Sequence, residues 1–477
     1  MNLYLLFFLS NIGIIGIIGI IDIYVTIFIS KIEFVFDTNH MPITILIKMA
    51  NQQREIRIGM LGNVDAGKTT ITGVLIKGIL DDGRGLARTS IMRWKHEKVS
   101  GRTTCPVQHH IKKTNNDIVS LTDLAGHEKY LKNTIGGIKR CFVEYVGVVV
   151  AANKGILPKK EGSGTGKNAN MTREHLSIVN ALNLPAFFIL TKIDMVDNKI
   201  TKNAIQSIKD FYSGASGRKV FIIRSMEDIE LIKIFYAAGN FKMPVPIFPV
   251  SSVTGAGIDL LKHFITEILQ PLKDYEKMKD DKIKFVVDSK YMIPGIGRVV
   301  SGILVSGTIN ASSREIFQIG PIMGKFYNLR IGTMHNNFKE SISVLYAGQS
   351  GCIQLKSNDI KLAVNSLKKG IIITQSDGLK LVRNFIAEIQ IMMHHTSISK
   401  KYQPLINCGA ICQCAEIIDI KDVISSLKPV GEPILRSGDR ATVQFQFKHH
   451  PEAIEPGEIL IFREGRTRGV GKVLEVF

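Results

Sequence analysis

The segment from Gly62 to Thr69 reads G-N-V-D-A-G-K-T and matches the phosphate-loop pattern G-x-x-x-x-G-K-[ST]. The glycines of such a loop let backbone N–H groups point at phosphate oxygens, and the N-terminus of the next helix adds partial positive charge. Lys68 is predicted to neutralise the outer phosphates of a nucleotide, and the Thr69 hydroxyl is predicted to bind Mg²⁺. The predicted phosphate-binding residues of this loop are Asn63, Val64, Asp65, Ala66, Gly67, Lys68, Thr69 and Thr70.

A second group of reactive residues is the segment Asp123-Leu124-Ala125-Gly126-His127. Asp123 is placed to hold Mg²⁺ through water, and the Gly126 N–H is placed to sense the γ-phosphate. His127 is placed to orient the attacking water, which makes it the candidate catalytic residue. A D-x-x-G tetrad alone is usually a turn, but one that follows a phosphate loop at this distance indicates a nucleotide-hydrolysing switch.

The choice of base is predicted from Thr191-Lys192-Ile193-Asp194. The Asp194 carboxylate is able to accept both N1–H and N2–H of guanine, a pairing that adenine does not offer. Lys192 would lay its alkyl stem along the purine ring. A serine-rich turn supplies N–H groups and hydroxyls for guanine O6, although many turns share this composition. The predicted guanine-binding residues are Thr191, Lys192, Asp194, Ser251, Ser252 and Val253.

The elements that must position these residues are buried strands, each ending at one of the motifs. Hydrophobic patterning predicts strands at Glu55 to Leu61, Asp117 to Thr122, Ala186 to Leu190 and Pro246 to Val250, and a helix at Thr70 to Leu80. Ligands of open α/β sheets gather at the carboxyl ends of the strands, so the motifs are expected to meet there. The first fold prediction is therefore an α/β phosphate-loop domain that binds and hydrolyses Mg-GTP.

Beyond Lys279 the pattern changes to short alternating segments separated by glycine turns, which is typical of antiparallel barrels. The clearest predicted strands are Ile283 to Asp288, Val299 to Val305, Ile316 to Ile319, Gly351 to Leu355, Ala387 to Met393, Ala441 to Phe447 and Ile459 to Arg463. We predict an extension at residues 1–50, a GTPase domain at 51–278, and two β-barrels at 279–382 and 383–477. No further domain is expected after the second barrel.

The chain carries 61 Lys and Arg against 42 Asp and Glu, a formal net charge of +19. This balance is typical of proteins that approach nucleic acid or an anionic surface, with general solubility as the alternative. Basic residues interleaved with aromatic ones near the C-terminus are suited to RNA or to a solvated barrel rim. These basic residues are Lys448, Arg463, Arg466 and Arg468.

The six cysteines lack the paired spacing of a zinc site or a secreted disulfide framework, which favours a reducing compartment. Cys408, Cys412 and Cys414, with His394 and His395, have a composition that metal sites use. Their spacing alternates as on a strand face, so buried strand residues are the favoured interpretation.

The first fifty residues are unusual, since Leu3 to Ile29 is almost wholly apolar and long enough for a helix to cross a bilayer. No positive charge precedes this run, and Asn11 and Asp22 interrupt it. Three alternatives stay open: a single-pass anchor, a mis-assigned start with Met41 or Met49 as initiator, or a targeting segment. Without an anchor, a cytoplasmic location and a monomer are expected.

The motifs, in this order and phasing, resemble the five-box signature of translational GTPases, the class of elongation factor Tu and elongation factor 1-alpha. The closest resemblance is to the branch called GTP-binding protein 1 and 2. It is carried by Asp81-Asp82-Gly83-Arg84-Gly85-Leu86-Ala87-Arg88, His96 to Thr103, Asp123 to Lys132, Pro294-Gly295-Ile296-Gly297 and Phe462 to Thr467. The resemblance implies that Thr103 is the switch threonine, which binds Mg²⁺ and the γ-phosphate. It also implies that the first barrel packs on the GTPase domain and that the second helps to hold tRNA, with the ribosome as partner.

The chain departs from the family pattern at three places. Thr191 replaces the usual asparagine, so one contact to the purine edge or the phosphate loop is expected to be lost. Arg102 replaces an apolar residue that screens the catalytic histidine, and it is expected to face solvent or ribosomal RNA instead of acting as an internal arginine finger. The segment Lys159 to Asn168 is interpreted as a flexible insertion without an assigned role.

The sequence therefore favours a translation-factor-like GTPase that acts in elongation or ribosome rescue with tRNA or other RNA. Two alternatives belong to other classes: a membrane-tethered regulatory GTPase, and a GTPase subunit of a metabolic enzyme.

Overall fold

The computed structural model describes residues 26–29, 32–35, 53–104, 106–113, 115–126, 131–155, 175–176, 179–180, 184–237, 244–311, 314–357, 367–375, 379–393, 396–409, 411–425, 433–464 and 467–477. The chain divides into two compact units, residues 1–53 and residues 54–477.

Within the first unit, strands β1 (Thr26–Ile29) and β2 (Ile32–Val35) pair antiparallel. The part of the N-terminal apolar run that is described, Thr26–Ile29, is thus a strand, and a helical span is wrong for these residues. Across the described ranges of the chain, none of the helices has the length and apolar content needed to span a bilayer.

The second unit begins with a seven-stranded sheet in the order β4-β5-β3-β6-β7-β9-β8. Its strands are β3 (Glu55–Gly62), β4 (Val107–Lys112), β5 (Ile118–Asp123), β6 (Tyr145–Ala151), β7 (Ala186–Thr191), β8 (Val220–Ile222) and β9 (Val245–Pro249). All neighbours are parallel except the β4–β5 pair. β3, β5, β6 and β7 are buried along their whole length, as expected when both faces of a parallel sheet are covered.

The helices of this domain are α1 (Lys68–Lys77), α2 (Leu86–Ile91), α3 (Lys95–Ser100), α4 (Leu131–Arg140), α5 (Asn198–Ser216), α6 (Met226–Ala237) and α7 (Ile258–His263). A 3₁₀ turn covers Ile193–Met195 and a π-helical turn covers Phe264–Ile268. The predicted first helix is wrong at its C-terminus, because α1 ends at Lys77 and not at Leu80. Gly78 takes a left-handed conformation with φ of 68° and terminates α1, and Leu80 lies beyond it.

A first antiparallel barrel follows, and it closes because β13 pairs with β14 as well as with β18. Its strands and the short strands beside it are β10 (Lys284–Ile293), β11 (Gly297–Ser306), β12 (Thr308–Asn310), β13 (Phe317–Ile322), β14 (Lys325–His335), β15 (Ser341–Ile342), β16 (Val344–Tyr346), β17 (Ser350–Lys356) and β18 (Ile372–Gln375). Phe285 and Val287 alternate into its core, which confirms the period-2 pattern of the sequence.

The second barrel is closed in the order β19-β22-β21-β20-β23-β24. Its strands are β19 (Asn384–Met393), β20 (Leu405–Cys408), β21 (Ile411–Ile424), β22 (Arg440–Phe447), β23 (Ile459–Glu464) and β24 (Thr467–Val476). In β22 every second residue is buried, and Phe445 and Phe447 pack on Phe385 with ring centroids about 5 Å apart. The predicted fold class, an α/β GTPase-type domain followed by two antiparallel β-barrels, is confirmed.

The cysteines near the end of the chain lie on β20 and β21, but their predicted burial is only partly correct. Cys408 is buried, whereas Cys412 is exposed and Cys414 is half-buried. On β21 the core positions fall to Ile411, Gln413 and Ala415, so the two cysteines point outward. His394 and His395 lie outside the described residues. Among the described residues, no three His, Cys, Asp or Glu side chains lie close enough together to hold a metal ion.

A buried ion network joins β3 to the first barrel. Arg57 is fully buried, pairs with Glu55 at 3.4 Å, and donates a hydrogen bond from Nη2 to the Gly348 carbonyl of the barrel. Glu55 in turn accepts a hydrogen bond of 2.9 Å from the Ser350 backbone N–H. Burial alone would raise the pKa of Glu55, but Arg57, His110 and the hydrogen bonds hold it below its usual range. The strand that leads into the phosphate loop is thus fixed to the barrel.

Candidate functional site

The phosphate loop lies between the carboxyl end of β3 and the first turn of α1, as the sequence predicted. Asp65 and Gly67 both have positive φ, 61° and 91°, which curves the backbone of the loop. The Lys68 side chain is buried and its Nζ donates a hydrogen bond of 2.8 Å to the Asn63 carbonyl. Burial lowers the pKa of Lys68, while Asp123 and Asp65 oppose the shift. The lysine is held at the loop by the loop's own backbone, ready for an anionic ligand.

Three oxygens predicted to bind Mg²⁺ meet beside Lys68. Asp123 Oδ2 accepts hydrogen bonds of 2.7 Å from both Thr69 Oγ1 and Thr103 Oγ1, and the two hydroxyl oxygens are 2.9 Å apart. Burial raises the pKa of Asp123, against the opposing effects of Lys68 and the two hydroxyl donors. Residues from three separate sequence motifs therefore lie within hydrogen-bonding distance of one another.

This donor set fits Mg²⁺. All three groups are hard oxygen ligands, and the 2.9 Å between the hydroxyls matches adjacent ligands of an octahedron with bonds of about 2.1 Å. Asp123 Oδ1 is buried and has no hydrogen-bond partner in the described structure. A buried carboxylate oxygen without a partner is costly, and a cation or its bound water would satisfy it.

The segment that carries Thr103 is tied to α3 by a buried carboxylate. Glu97 Oε1 accepts a hydrogen bond of 2.8 Å from the Thr104 N–H and one of 2.7 Å from the Thr104 hydroxyl. Pro106, two residues further on, packs against α4, where a Cβ on Gly137 would lie 2.8 Å from the proline Cγ. The segment that carries Thr103 is thus connected to α4 through Pro106.

Thr191 corrects one prediction from the sequence. Its hydroxyl donates a hydrogen bond of 2.6 Å to the Ala66 carbonyl in the phosphate loop. The expected loss of one contact, to the purine edge or to the phosphate loop, is therefore wrong for the phosphate loop, because the shorter threonine side chain at the end of a buried strand still reaches it. Lys192 and Asp194 follow directly, with Lys192 in a left-handed conformation at φ of 60° and Asp194 in the 3₁₀ turn.

The residues of the serine-rich turn, Ser251, Ser252 and Val253, have two different roles. Ser252 and Val253 line the cavity. Ser251 is fully buried, and its Oγ accepts hydrogen bonds of 3.2 and 3.1 Å from the Val253 and Thr254 N–H groups. The Ser251 side chain thus shapes the turn in this structure, and its hydroxyl is directed at its own loop.

All these elements surround one cavity of about 320 Å³. The predicted site residues that line it are Val64, Asp65, Gly67, Lys68, Thr69, Thr70, Thr103, Gly126, Thr191, Lys192, Asp194, Ser252 and Val253. Asn63, Ala66 and Asp123 lie directly behind the lining, where they bond to Lys68, Thr191 and Thr69 respectively. The structure thus brings the three predicted groups together at one edge of the sheet.

Several lining residues carried no predicted role. They include Asp81, Gly83, Gly85 and Arg88, from a segment that the sequence offered only as a family resemblance, and Met195. In the sequence, the segment that holds Asp81 and Arg88 shows a pair of acidic residues followed by two glycines and an arginine. This composition is typical of a loop and does not by itself indicate a ligand-binding role. Arg102 also lines the cavity while remaining exposed, so it lies at the cavity mouth.

Some predicted residues lie outside the described structure. These are His127 and the insertion Lys159 to Asn168; the side chains of Arg463, Arg466 and Arg468 are also not described. Lys448, the remaining basic residue of that group, forms an ion pair of 2.5 Å with Glu416 on the second barrel.

A phosphate loop, a convergent Thr-Thr-Asp triad, a Thr-Lys-x-Asp guanine motif and two following barrels together define a translational GTPase of the elongation factor Tu class. The family model for the elongation factor Tu GTP-binding domain matches residues 53–271. GTP-binding protein 2 of Homo sapiens is 33% identical over 456 residues, which cover 89% of this chain and 70% of that protein. The chain belongs to the family of GTP-binding protein 1 and GTP-binding protein 2.

Two further comparisons agree with this assignment. GTP-binding protein 1 of Xenopus laevis is 32% identical over 454 residues, 89% of this chain, and the match spans 64% of that relative's length. The solved structure of translation elongation factor SelB from Methanococcus maripaludis, in complex with the GTP analogue GppNHp, superposes with a TM-score of 0.62. It is 21% identical and the match covers 89% of this chain and 80% of that one, so it supports the fold.

Proposed function

We propose that this protein is a GTP-driven switch that binds Mg-GTP, hydrolyses it, and acts on the ribosome with tRNA or other RNA, in elongation or ribosome rescue. The observation that carries the proposal is the convergence of Thr69, Thr103 and Asp123 beside the phosphate-loop lysine. The family membership and the net charge of +19 support an RNA-containing partner. Such a role places the protein in the cytoplasm.

Each group has a task in the proposed reaction. The phosphate-loop N–H groups and Lys68 bind the outer phosphates, and Asp194 selects guanine. Thr69, Thr103 and Asp123 would hold Mg²⁺, which supplies charge neutralisation on the phosphate oxygens. His127 orients the water for in-line attack on the γ-phosphorus, and the bond to the β–γ bridging oxygen breaks to leave GDP and phosphate. Intrinsic turnover is expected to be slow, with a ribosome-like partner completing the site.

The proposed output is a conformational change. Loss of the γ-phosphate removes the ligand contacts of Thr103 and Gly126, which lets both segments relax. Pro106 transmits movement of the Thr103 segment to α4 through its contact at Gly137. Three residues after Gly137, at the C-terminus of α4, Arg140 Nε lies 3.8 Å from Asp288 Oδ1 on β10 of the first barrel. This chain of contacts supports a path from the nucleotide to the barrels.

The test is GTP hydrolysis by the full chain with and without ribosomes, for the unaltered protein and for His127→Ala and Thr103→Ala. We expect strong ribosome stimulation that both substitutions abolish, and a loss of Mg²⁺-dependent GTP affinity in Thr103→Ala. Thr266→Ala is the matched control, because it removes a hydroxyl of the same domain whose hydrogen bond, among the described residues, goes to the Lys262 carbonyl. Slow turnover that ribosomes leave unchanged would refute the translational role, and full activity of His127→Ala would refute its catalytic role.

A further inference from the structure

Arg88 on α2 lines the nucleotide cavity, although no motif assigned it a ligand. Its guanidinium lies over the backbone of two glycines. A Cβ built on Gly85 would come within 2.4 Å of Arg88 Nε, and one on Gly101 would come within 3.4 Å of its Cζ. The absence of side chains at both glycines therefore creates the slot that the guanidinium occupies.

The segment before Arg88 is a rigid loop. Asp82 Oδ1 accepts hydrogen bonds from the N–H groups of Arg84, Gly85 and Leu86, at 2.8 to 3.1 Å. These backbone donors are the main cause of the lowered pKa of Asp82. Asp82 thus holds the chain in a tight turn directly ahead of α2.

One contact closes this loop on itself, and two attach it to the nucleotide site. Asp81 Oδ1 accepts a hydrogen bond of 2.8 Å from the Ala87 N–H, and the Asp81 N–H donates one of 2.8 Å to the Ser252 carbonyl in the guanine-side turn. α2 also packs closely on α1, since a Cβ on Gly73 would lie 2.2 Å from the Ala87 carbonyl oxygen. The loop is anchored to both the phosphate side and the base side of the cavity.

The guanidinium keeps hydrogen-bonding capacity. Nη2 donates to the Arg84 carbonyl at 3.3 Å, whereas Nε is buried without a partner in the described structure. A guanidinium carries five N–H donors in a fixed planar fork, which suits phosphate oxygens. A buried donor without a partner is costly, so a ligand oxygen would offset that cost.

The position along the cavity points to a particular part of the nucleotide. Asp194 marks the base end, and Lys68 with Thr69 marks the outer-phosphate end. Arg88 lies between these ends, because its loop bonds to the Ser252 carbonyl on the base side and its guanidinium lies against Gly101, two residues before Thr103. A nucleotide laid between these ends presents its α-phosphate in the middle, next to Arg88.

We propose that Arg88 binds the α-phosphate of GTP and of GDP, and that the Asp81–Arg88 loop exists to hold this arginine against the nucleotide. The contact is common to both nucleotide states, so it sets affinity and leaves the chemical step unaffected. It is a binding role, distinct from that of an arginine finger at the γ-phosphate. The inference rests on the proposed binding of guanine nucleotides.

The test is calorimetric titration of the full chain with GTP, GDP, GMP and guanosine, using Arg88→Ala and Arg88→Lys. Arg88→Ala should weaken GTP, GDP and GMP by the same factor, about 10- to 100-fold, as expected for loss of a charge-assisted hydrogen bond. Arg88→Lys keeps the charge but loses the fork, so it should show a smaller loss. Arg84→Ala is the control, because it removes an exposed arginine of the same loop.

Each outcome decides the inference. Equal losses for the three phosphorylated ligands, with guanosine binding unchanged, support it. A loss that extends to guanosine overturns it in favour of a ribose contact or loop damage, and a loss confined to GTP overturns it in favour of a γ-phosphate finger. Unchanged binding in both variants also overturns it. If the unaltered chain binds none of the ligands, the proposed function fails first, which distinguishes the two failures.

Discussion

Replacing Arg57 with methionine tests whether the buried network between β3 and the first barrel stabilises the fold. The substitution keeps a long apolar side chain but removes the cation that faces Glu55 at 3.4 Å and the Tyr275 hydroxyl at 3.4 Å. It also removes the donor to the Gly348 carbonyl. Breaking a buried pair from one side costs about 3–5 kcal/mol, because the remaining charge is left buried without its partner. The long 3.4 Å separations favour the lower end, so we expect about 3 kcal/mol.

The assay is urea unfolding followed by circular dichroism, arranged as a double-mutant cycle with Glu55→Gln. The double variant should be more stable than Arg57→Met alone, because the glutamine removes the orphaned charge, with a coupling energy of about 1 kcal/mol or more. Lys233→Met is the control, since it breaks the exposed pair with Glu230 and should cost less than about 0.5 kcal/mol. A cost for Arg57→Met below about 1 kcal/mol, or strict additivity with Glu55→Gln, would refute the reasoning.

Three further predictions concern single positions. Thr191→Val removes the hydroxyl that donates to the Ala66 carbonyl, so GDP affinity should fall about 2- to 10-fold by titration calorimetry; unchanged affinity would show that the contact has no role. Gly73→Ala should destabilise the chain by about 1–3 kcal/mol in thermal unfolding despite the better helix propensity of alanine, because its Cβ would lie 2.2 Å from a carbonyl oxygen of α2; a more stable variant would contradict the close approach. Burial raises the pKa of Glu452 to about 7, against the effects of Gln413 and Lys368, so the folded state binds a proton that the unfolded state releases near its ordinary value of 4.5. The contribution of Glu452 to stability should therefore fall as pH rises from 4.5 to about 7. Glu452→Gln should remove this contribution and make the slope of the urea midpoint against pH more positive than in the unaltered protein, whereas equal slopes would exclude the carboxyl as a contributor.

Much of the site was predictable from the sequence because its signals are local. A phosphate loop needs a strand, a glycine-containing turn and a helix in succession, and Gly62 to Thr69 show all three within a few residues. The barrel strands were predictable for the same reason, since a period of two residues in β22 reflects one buried face. The end of α1 was not predictable from hydrophobic periodicity, because Gly78 terminates the helix through its backbone conformation.

The tertiary structure decided which distant residues share a point in space. The Thr191 hydroxyl reaches Ala66, 125 positions away, only because β7 and β3 end at the same edge of the sheet. The Arg88 slot depends on Gly101 from a different segment, and the Arg57 network depends on a barrel carbonyl 291 positions along the chain. Composition and periodicity report each residue's own neighbourhood in the chain. Contacts of this kind depend on chain packing, which no local pattern encodes.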